Sequence, residues 1–133
     1  MFRRGGSDEA EGTEMSDSEG RGFHGDFMTW LGRLPTSEGR PFVVVHEHGT
    51  LSVEIFAPRG VDTQTPHRRD EVYVVVRGEG YFVNGSDRDR FGPGDLFFVR
   101  AGVEHRFEEL TDDLAVWALF YGPGGGEQEE AGR

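Results

Sequence analysis

The residues with the clearest chemical potential are a few histidines and one glutamate, in a chain of 133 residues that contains no cysteine. Without thiolates, a metal site must be built from imidazole and carboxylate groups. His67 and Glu71 stand four residues apart, and His105 follows later in the chain. Together they form a candidate ligand set for one metal ion, provided that the fold brings them to one place.

The sequence around these residues indicates that all three side chains point inward. Glu71 opens the β-branched run EVYVVVR, in which alternation puts it on the same face as Tyr73. By the same rule His105 shares a face with Phe107. A straight strand would separate His67 from Glu71 by about 13 Å, so a bend is required between them.

The residue pattern alone leaves other interpretations open. An inward histidine is commonly a hydrogen-bonded core residue, and an inward carboxylate can pair with an arginine as well as with a metal. A second histidine pair, His46 and His48, lies on one strand face with no obvious glutamate partner. We interpret this pair as strand-end histidines that face solvent or an interface.

Short β-rich segments separated by turn signals must position these side chains. Asn84-Gly85 and the Gly92–Asp95 stretch are the strongest of the turn signals. We expect strands at 42–48, 51–57, 71–77, 81–84, 88–91, 96–99, 104–108 and 114–121. Their number and spacing predict an all-β fold, a small antiparallel β-barrel. Residues 26–34 predict one short N-terminal helix with Asp26 as its N-cap.

The composition indicates where the folded domain begins and ends and which classes of partner it excludes. Residues 1–22 and 123–133 are polar and glycine-rich, which predicts a disordered acidic tail and a flexible tail around one domain at 23–122. The net charge of −11 argues against nucleic-acid binding. No apolar run approaches the ~20 residues of a membrane helix, and no signal peptide is evident. We therefore expect a cytoplasmic protein with no membrane partner.

Two segments resemble the paired motifs of the cupin superfamily, in the right order and at a typical interval. The first motif has the form G-x5-H-x-H-x3-E-x6-G, and the matching residues are His67, Glu71 and Gly78. The second has the form G-x5-P-x-G-x2-H-x3-N, and the matching residues are Gly94, Gly102 and His105. The chain departs from the motifs at Arg59, Thr65, Arg100 and Glu109, and Thr65 stands where cupins usually place their first histidine.

The resemblance implies a small single-domain cupin with a double-stranded β-helix, or jelly-roll, and a metal inside the barrel. His67, Glu71 and His105 would then form a two-histidine, one-carboxylate set, which suits Fe(II) and also accepts Mn(II), Zn(II) or Ni(II). Gln64 is a candidate fourth ligand through its amide oxygen; alternatively, it only hydrogen-bonds a neighbouring loop. Tyr73 and Phe107 are expected to line a pocket for a small molecule.

We favour the first of three functional hypotheses, the one that the family resemblance implies, although the fold itself does not decide among them. The first is a metal-dependent enzyme, dioxygenase-like or isomerase-like, that acts on a small organic molecule. The second is a non-catalytic module that binds or senses such a molecule, and the third is a barrel whose metal only stabilises it. No catalytic residue can be assigned from the sequence.

The apolar segment Phe23–Leu34 motivates a further expectation. It carries several large apolar side chains outside the cupin motifs, which a small barrel need not cover by itself. We expect a homodimer in which part of this segment packs against a partner. The alternative is that the segment covers its own barrel.

Overall fold

A computed structural model describes residues 22–128. Residues 1–21 and 129–133, which belong to the predicted tails at 1–22 and 123–133, lie outside the described residues, and the tail assignment of these residues stays a prediction. In the part of the chain that is described, no helix is long and apolar enough to cross a membrane. The cytoplasmic location stays a prediction.

One short helix precedes eight strands, close to the elements expected from the sequence. Asp26 caps the helix as predicted, because its Oδ2 accepts a hydrogen bond from the Thr29 backbone N–H at 2.9 Å. The helix ends at Leu31, three residues before its predicted end, with Gly32 as its C-cap, and Pro35 lies beyond it. The elements are α1 Phe27–Leu31, β1 Phe42–His48, β2 Leu51–Phe56, β3 Asp70–Arg77, β4 Gly80–Asn84, β5 Asp87–Phe91, β6 Leu96–Val99, β7 His105–Glu108 and β8 Ala115–Tyr121.

The strands form two antiparallel sheets, which is the expected jelly-roll barrel. The larger sheet has the order β1-β2-β8-β3-β6 and the smaller one has the order β5-β4-β7. Glu71 lies near the start of β3 in the larger sheet, and His105 lies at the start of β7 in the smaller sheet. The two residues are therefore brought together across the barrel interior by strands of different sheets.

The barrel core follows the alternation read from the sequence. In β3 the side chains of Glu71, Tyr73 and Val75 are buried, whereas Val72 and Val74 are only half-buried. The inward side chains of both sheets form one apolar cluster, which consists of Tyr73, Val75, Phe82, Phe91, Val99, Phe107, Leu114, Val116 and Ala118. Burial of this aromatic-rich set is the main source of stability for the barrel.

A second apolar cluster covers the outer face of β1, β2 and β8. Leu31 of α1 is buried against Val45, Ile55 and Ala115, and the packing aromatic residues include Phe23, Phe27, Trp30 and Trp117. The segment Phe23–Leu34 therefore covers its own barrel, which is the alternative left open by the sequence. Only Met28 of this segment is a large apolar residue with substantial exposure, at 57%.

The first residues after β8 are hydrogen-bonded to the barrel. The Gly125 N–H donates to the Arg68 carbonyl, and the Glu127 N–H donates to Asp70 Oδ2 at 2.9 Å. The sequence placed this stretch in a flexible tail, whereas these hydrogen bonds fix it beside the start of β3. A buried carboxylate, Asp70, supplies the attachment that composition alone could not reveal.

The homodimer stays a prediction. The exposed apolar side chains of the structure indicate an interface other than the segment Phe23–Leu34. Leu96 and Phe98 are 62% and 45% exposed on β6, an edge strand, beside Val76, which is 37% exposed. Apolar side chains next to an unpaired strand edge favour self-association. We expect light scattering to give twice the 14.9 kDa chain mass and Leu96→Glu to give the monomer mass.

The control for this prediction is Met28→Glu, which places the same charge on another exposed apolar position. It is expected to leave the dimer intact. A monomer mass for the unmodified chain at high concentration would contradict the prediction.

Candidate metal centre

The side chains of His67, Glu71 and His105 meet at one point inside the barrel mouth. His67 Nε2 lies 2.6 Å from Glu71 Oε1 and 3.2 Å from His105 Nε2. His105 Nε2 lies 3.4 Å from Glu71 Oε1. Among residues 22–128, this is the one group of three or more such side chains whose candidate ligand atoms lie within 4.8 Å of one another.

Backbone carbonyls fix which nitrogen of each imidazole faces the group. His67 Nδ1 is 3.1 Å from the Arg69 carbonyl oxygen, and His105 Nδ1 is 2.8 Å from the Val103 carbonyl oxygen. A carbonyl can only accept, so each Nδ1 must carry the proton. In the neutral rings each Nε2 then presents a lone pair, which is the form that binds a metal.

The three facing atoms therefore fit a cation. Two imidazole lone pairs and one carboxylate oxygen within 3.4 Å of one another repel unless a positive charge lies between them. Either a shared proton or a divalent metal satisfies this requirement. Nitrogen and oxygen donors in a two-histidine, one-carboxylate set are the chemistry that Fe(II), Mn(II), Zn(II) and Ni(II) accept.

Burial and charge act in opposite directions on His105. Burial lowers the pKa of His105, but the hydrogen bonds with the Glu71 carboxylate and the Val103 carbonyl outweigh it, so the pKa lies above its ordinary value. The imidazole is fully buried, and Glu71 is 2% exposed. The negative charge of Glu71 therefore stabilises a positive charge beside His105, in a place that water does not reach.

Solvent reaches the group from the side of His67, whose side chain is 23% exposed. The His67 ring packs edge-on against Phe120 at 4.7 Å, and the Arg69 guanidinium lies over the Phe120 ring at 5.6 Å. Arg69 also donates a hydrogen bond to the Thr50 carbonyl. These residues form the rim of the barrel mouth.

Gln64, the candidate fourth ligand, has both ends of its amide engaged elsewhere. Its Oε1 accepts a hydrogen bond from the Tyr73 hydroxyl at 3.0 Å, and its Nε2 donates to Asp62 Oδ2 at 2.7 Å. The structure therefore supports the alternative of a hydrogen-bonding role for Gln64. Burial raises the pKa of Tyr73 well above its ordinary value, so the phenol remains neutral and can donate.

Tyr73 and Phe107 are inward, as the alternation predicts, but they belong to the packed core. Each is 1% exposed, and their rings are 5.1 Å apart. They form an apolar floor near His105, whose ring is 6.0 Å from that of Tyr73. The expectation that they line an open pocket is therefore not met, because neighbouring phenylalanines fill the space around them.

A cavity of about 490 Å³ lies elsewhere, between the segment after α1 and the segment that follows β2. Apolar side chains dominate its wall, and neither Tyr73 nor Phe107 contributes to it. Its lining residues are Leu34, Pro35, Gly39, Pro41, Phe42, Phe56, Ala57, Pro58, Arg59, Val61, Asp62, Thr63 and Gln64. Gln64 lies in the wall of this cavity and is linked to the metal-ligand group through its hydrogen bond with Tyr73.

The remaining candidates stay outside the group. His46 stacks on Phe23 with ring centroids 4.6 Å apart, and His48 is exposed at the end of β1. Neither belongs to a group of metal-ligating side chains among the described residues. Thr65 is exposed in the loop before β3, where the cupin motif usually has its first histidine.

Two acidic residues near the site were missed by the sequence reasoning. Asp62 is a buried carboxylate that accepts hydrogen bonds from the Gln64 side chain and from the Phe107 backbone N–H. Glu54 in β2 is half-buried; burial, followed by the negative charge of Glu71, raises its pKa to about 7. Alternation places Glu54 on the same face of β2 as Ser52 and Phe56, but it does not show that this face is the inner one.

Glu54 gives the metal-free chain an expected pH dependence. A carboxyl whose pKa rises from 4.5 to about 7 on folding stabilises the fold below pH 4.5 and loses that contribution as pH rises through 7. Discounted for solvent screening, this loss is about 1–2 kcal/mol. Glu54→Gln is therefore expected to be more stable than the unmodified chain at pH 8.

The measurement is urea unfolding of EDTA-treated protein at pH 5 and pH 8. At pH 5 the two proteins should differ much less than at pH 8, because the Glu54 carboxyl is then largely protonated. An equal difference at both pH values would show that the effect has another origin than the carboxylate charge.

The sequence itself places this barrel in a family. The Cupin domain family matches residues 52–121, which is more than half of the chain, and we conclude that the chain belongs to the cupin family. That range contains all three clustered side chains. The family assignment confirms the resemblance recognised in the two motifs.

Comparison with individual proteins places the chain among small cupins. An uncharacterized protein of Streptomyces coelicolor is 39% identical over 62 residues, which are 47% of this chain and 59% of that protein. The chain thus spans about three fifths of the curated relative. A cupin-2 domain protein of Rhodospirillum rubrum has 19% identity and a TM-score of 0.53, with 64% of this chain and 62% of that chain covered.

Two further solved structures share the fold. A Thermus thermophilus protein has a TM-score of 0.61 and 19% identity, with 74% of this chain and 95% of that chain covered. KdgF from Halomonas sp. has a TM-score of 0.53 and 25% identity, with 60% of this chain and 77% of that chain covered. The likeness is greatest in the barrel fold and does not by itself define a reaction.

Proposed function

We propose that this chain is a metal-dependent cupin enzyme that acts on a small organic molecule at the barrel mouth. His67, Glu71 and His105 would hold one divalent transition metal. The observation that carries the proposal is the convergence of two imidazole Nε2 atoms and one carboxylate oxygen, each within 3.4 Å of the others. Acceptors this close to one another require a positive charge between them, which a divalent metal or a shared proton supplies.

The chain's own residues prepare this site. The Arg69 and Val103 carbonyls hold the two imidazoles in the tautomer that presents Nε2. The packed rings of Tyr73 and Phe107 exclude water beneath the site, while His67 leaves one side open. A bound divalent metal would supply Lewis-acid polarisation and open positions for a small molecule, and iron would add redox chemistry.

The test of metal binding is titration of EDTA-treated, dialysed protein with cobalt(II), followed by its visible absorption. We expect one equivalent to bind, and His67→Ala to lose most of the affinity. His48→Ala removes an exposed imidazole and serves as the matched control, with unchanged binding. Full binding by His67→Ala would overturn the proposed ligand set.

A non-catalytic metal-binding barrel is the second candidate, and the filled interior favours it. The aromatic core occupies the space in which many ligands could otherwise sit. Oxygen-uptake and product assays of the iron(II)-loaded chain with catechols, flavonols and keto acids separate the two candidates. Turnover that disappears in His67→Ala supports the enzyme, whereas a metal-loaded chain without turnover across the set favours the binding module.

A further inference from the structure

Glu54 points into the barrel, toward the candidate metal centre. In the sheet register it lies opposite Ala118 of β8, which in turn lies opposite Tyr73 of β3. Directly paired residues share one side of a sheet, and Tyr73 is on the inner side. The neighbouring Ile55 packs on the outer side beneath α1, as strand alternation requires.

The Glu54 carboxylate is half-buried and has no hydrogen-bond partner among the described residues. Within residues 22–128 no group donates a hydrogen bond to it or forms an ion pair with it. Groups of this kind are usually paired when they leave water. Its electrostatic neighbours are Glu71, Arg69, Glu47 and His67, so it lies close to the metal-ligand group without belonging to it.

Arg69 supplies the opposite charge on the same rim. Its hydrogen bond to the Thr50 carbonyl and its position over Phe120 hold the guanidinium beside the accessible side of His67. One carbonyl satisfies only part of the five N–H donors that a guanidinium carries. The mouth therefore presents one cationic donor and one anionic acceptor to whatever enters.

The charges around the mouth limit the kind of anion that fits. A single carboxylate matches the one guanidinium of Arg69. A dianionic phosphate would in addition meet the repulsion of Glu54 and Glu47, on a chain of net charge −11. The Glu54 carboxylate accepts hydrogen bonds, so a molecule whose carboxylate contacts Arg69 fits the mouth best if its other end carries a hydrogen-bond donor.

We propose, building on the function proposed above, that the site takes a small monocarboxylate that carries a hydroxyl or ammonium group at its other end. Arg69 contacts the carboxylate, and Glu54 accepts the hydrogen bond from the donor group. Glu54 is thus the residue that determines specificity. The bound molecule gives the Glu54 carboxylate the hydrogen-bond donor that residues 22–128 do not provide.

Three acids of equal length test this assignment: pentanoate, 4-hydroxybutanoate and 4-aminobutanoate. They differ only in a terminal methyl, hydroxyl or ammonium group. Binding is measured by NMR titration of the zinc(II)-loaded full chain, with zinc content determined on the same sample. At least one of the donor-bearing acids is expected to bind about tenfold more tightly than pentanoate, the ratio that a hydrogen bond to a charged group provides.

Two variants assign the preference to Glu54. Glu54→Leu keeps the approximate size of the side chain but has no hydrogen-bond acceptor, and it is expected to bring all three acids to within about twofold of one another. Glu47→Gln neutralises an exposed glutamate of β1 near Glu54 and is the matched control, with the preference retained. Arg69→Met is expected to weaken the binding of all three acids alike.

The outcomes separate this proposal from the function on which it rests. A chain that takes up no zinc overturns the metal site and this proposal together. A zinc-loaded chain that binds pentanoate as tightly as both other acids overturns only the substrate class. A preference that survives in Glu54→Leu excludes Glu54 as the residue responsible.

Discussion

Loading the metal-free chain with cobalt(II) is expected to raise its melting temperature by about 10 °C. A ligand that binds only the folded state at a hundred times its Kd stabilises it by about 2.7 kcal/mol. For a domain of this size each kcal/mol corresponds to about 4 °C. Relief of the repulsion among His67, Glu71 and His105 is the physical source of the gain.

The same measurement on His105→Ala identifies the site. This variant removes the fully buried imidazole of the group, so the difference between metal-loaded and metal-free melting temperatures should fall to nearly zero. Glu71→Gln should keep part of the shift, because an amide oxygen still donates to a metal but carries no charge. Each variant is compared with its own metal-free form, which separates metal binding from any loss of core packing.

His48→Ala is the control for a histidine that does not face the group, and it should show the full shift. A full shift in His105→Ala would place the metal elsewhere in the chain. The absence of any shift in the unmodified chain, at cobalt(II) concentrations up to the millimolar range, would contradict metal binding at this group.

The elements of this fold were readable from local sequence because each strand carries its own signals. β1 and β6 have the bounds expected, and the other strands differ by a residue at one end. The inward placement of Glu71 and His105 followed from simple alternation. Their convergence did not follow from alternation, since it depends on how two sheets pack, and only the resemblance to paired cupin motifs implied it.

The structure departs from the sequence-based expectations where one group has several possible partners. The amide of Gln64 could reach a metal or a neighbour, and the buried Asp62 and Tyr73 determine the outcome. Residues 125–127 look like linker by composition, yet the buried carboxylate of Asp70 binds one of their backbone N–H groups. Such contacts join residues far apart in sequence, and no local pattern encodes them.

Glu54 was overlooked for a related reason. In LSVEIF alternation puts the apolar Leu51, Val53 and Ile55 on one face and Glu54 on the other. The apolar face is covered by α1 outside the barrel, whereas the face of Glu54 looks into the barrel, so the local pattern does not reveal which face is the inner one. The register with Ala118 and Tyr73 resolves this, and it exists only once the sheet has formed.

Replacing Gly78 with alanine is expected to destabilise the chain by about 3 kcal/mol or more. Gly78 follows β3 with φ of +101°, a conformation that residues with a Cβ rarely adopt. An added Cβ would lie 2.5 Å from the Leu114 Cα, so the backbone of one of the two segments would have to move. Strain of about 1–3 kcal/mol and overpacking of about 1–3 kcal/mol add here.

Gly94→Ala separates these two contributions. Gly94 has a similar φ of +91°, but a Cβ there meets nothing within 4 Å, so only the conformational strain of about 1 kcal/mol is expected. Urea unfolding of both variants and of the unmodified chain gives the loss of unfolding free energy for each substitution. Equal losses of unfolding free energy in the two variants would mean that the backbone at Gly78 and Leu114 moves apart easily to make room for the added Cβ. A much larger loss in Gly78→Ala explains physically why a glycine closes the first cupin motif: the chain leaving the strand of Glu71 passes directly against the backbone that leads into β8.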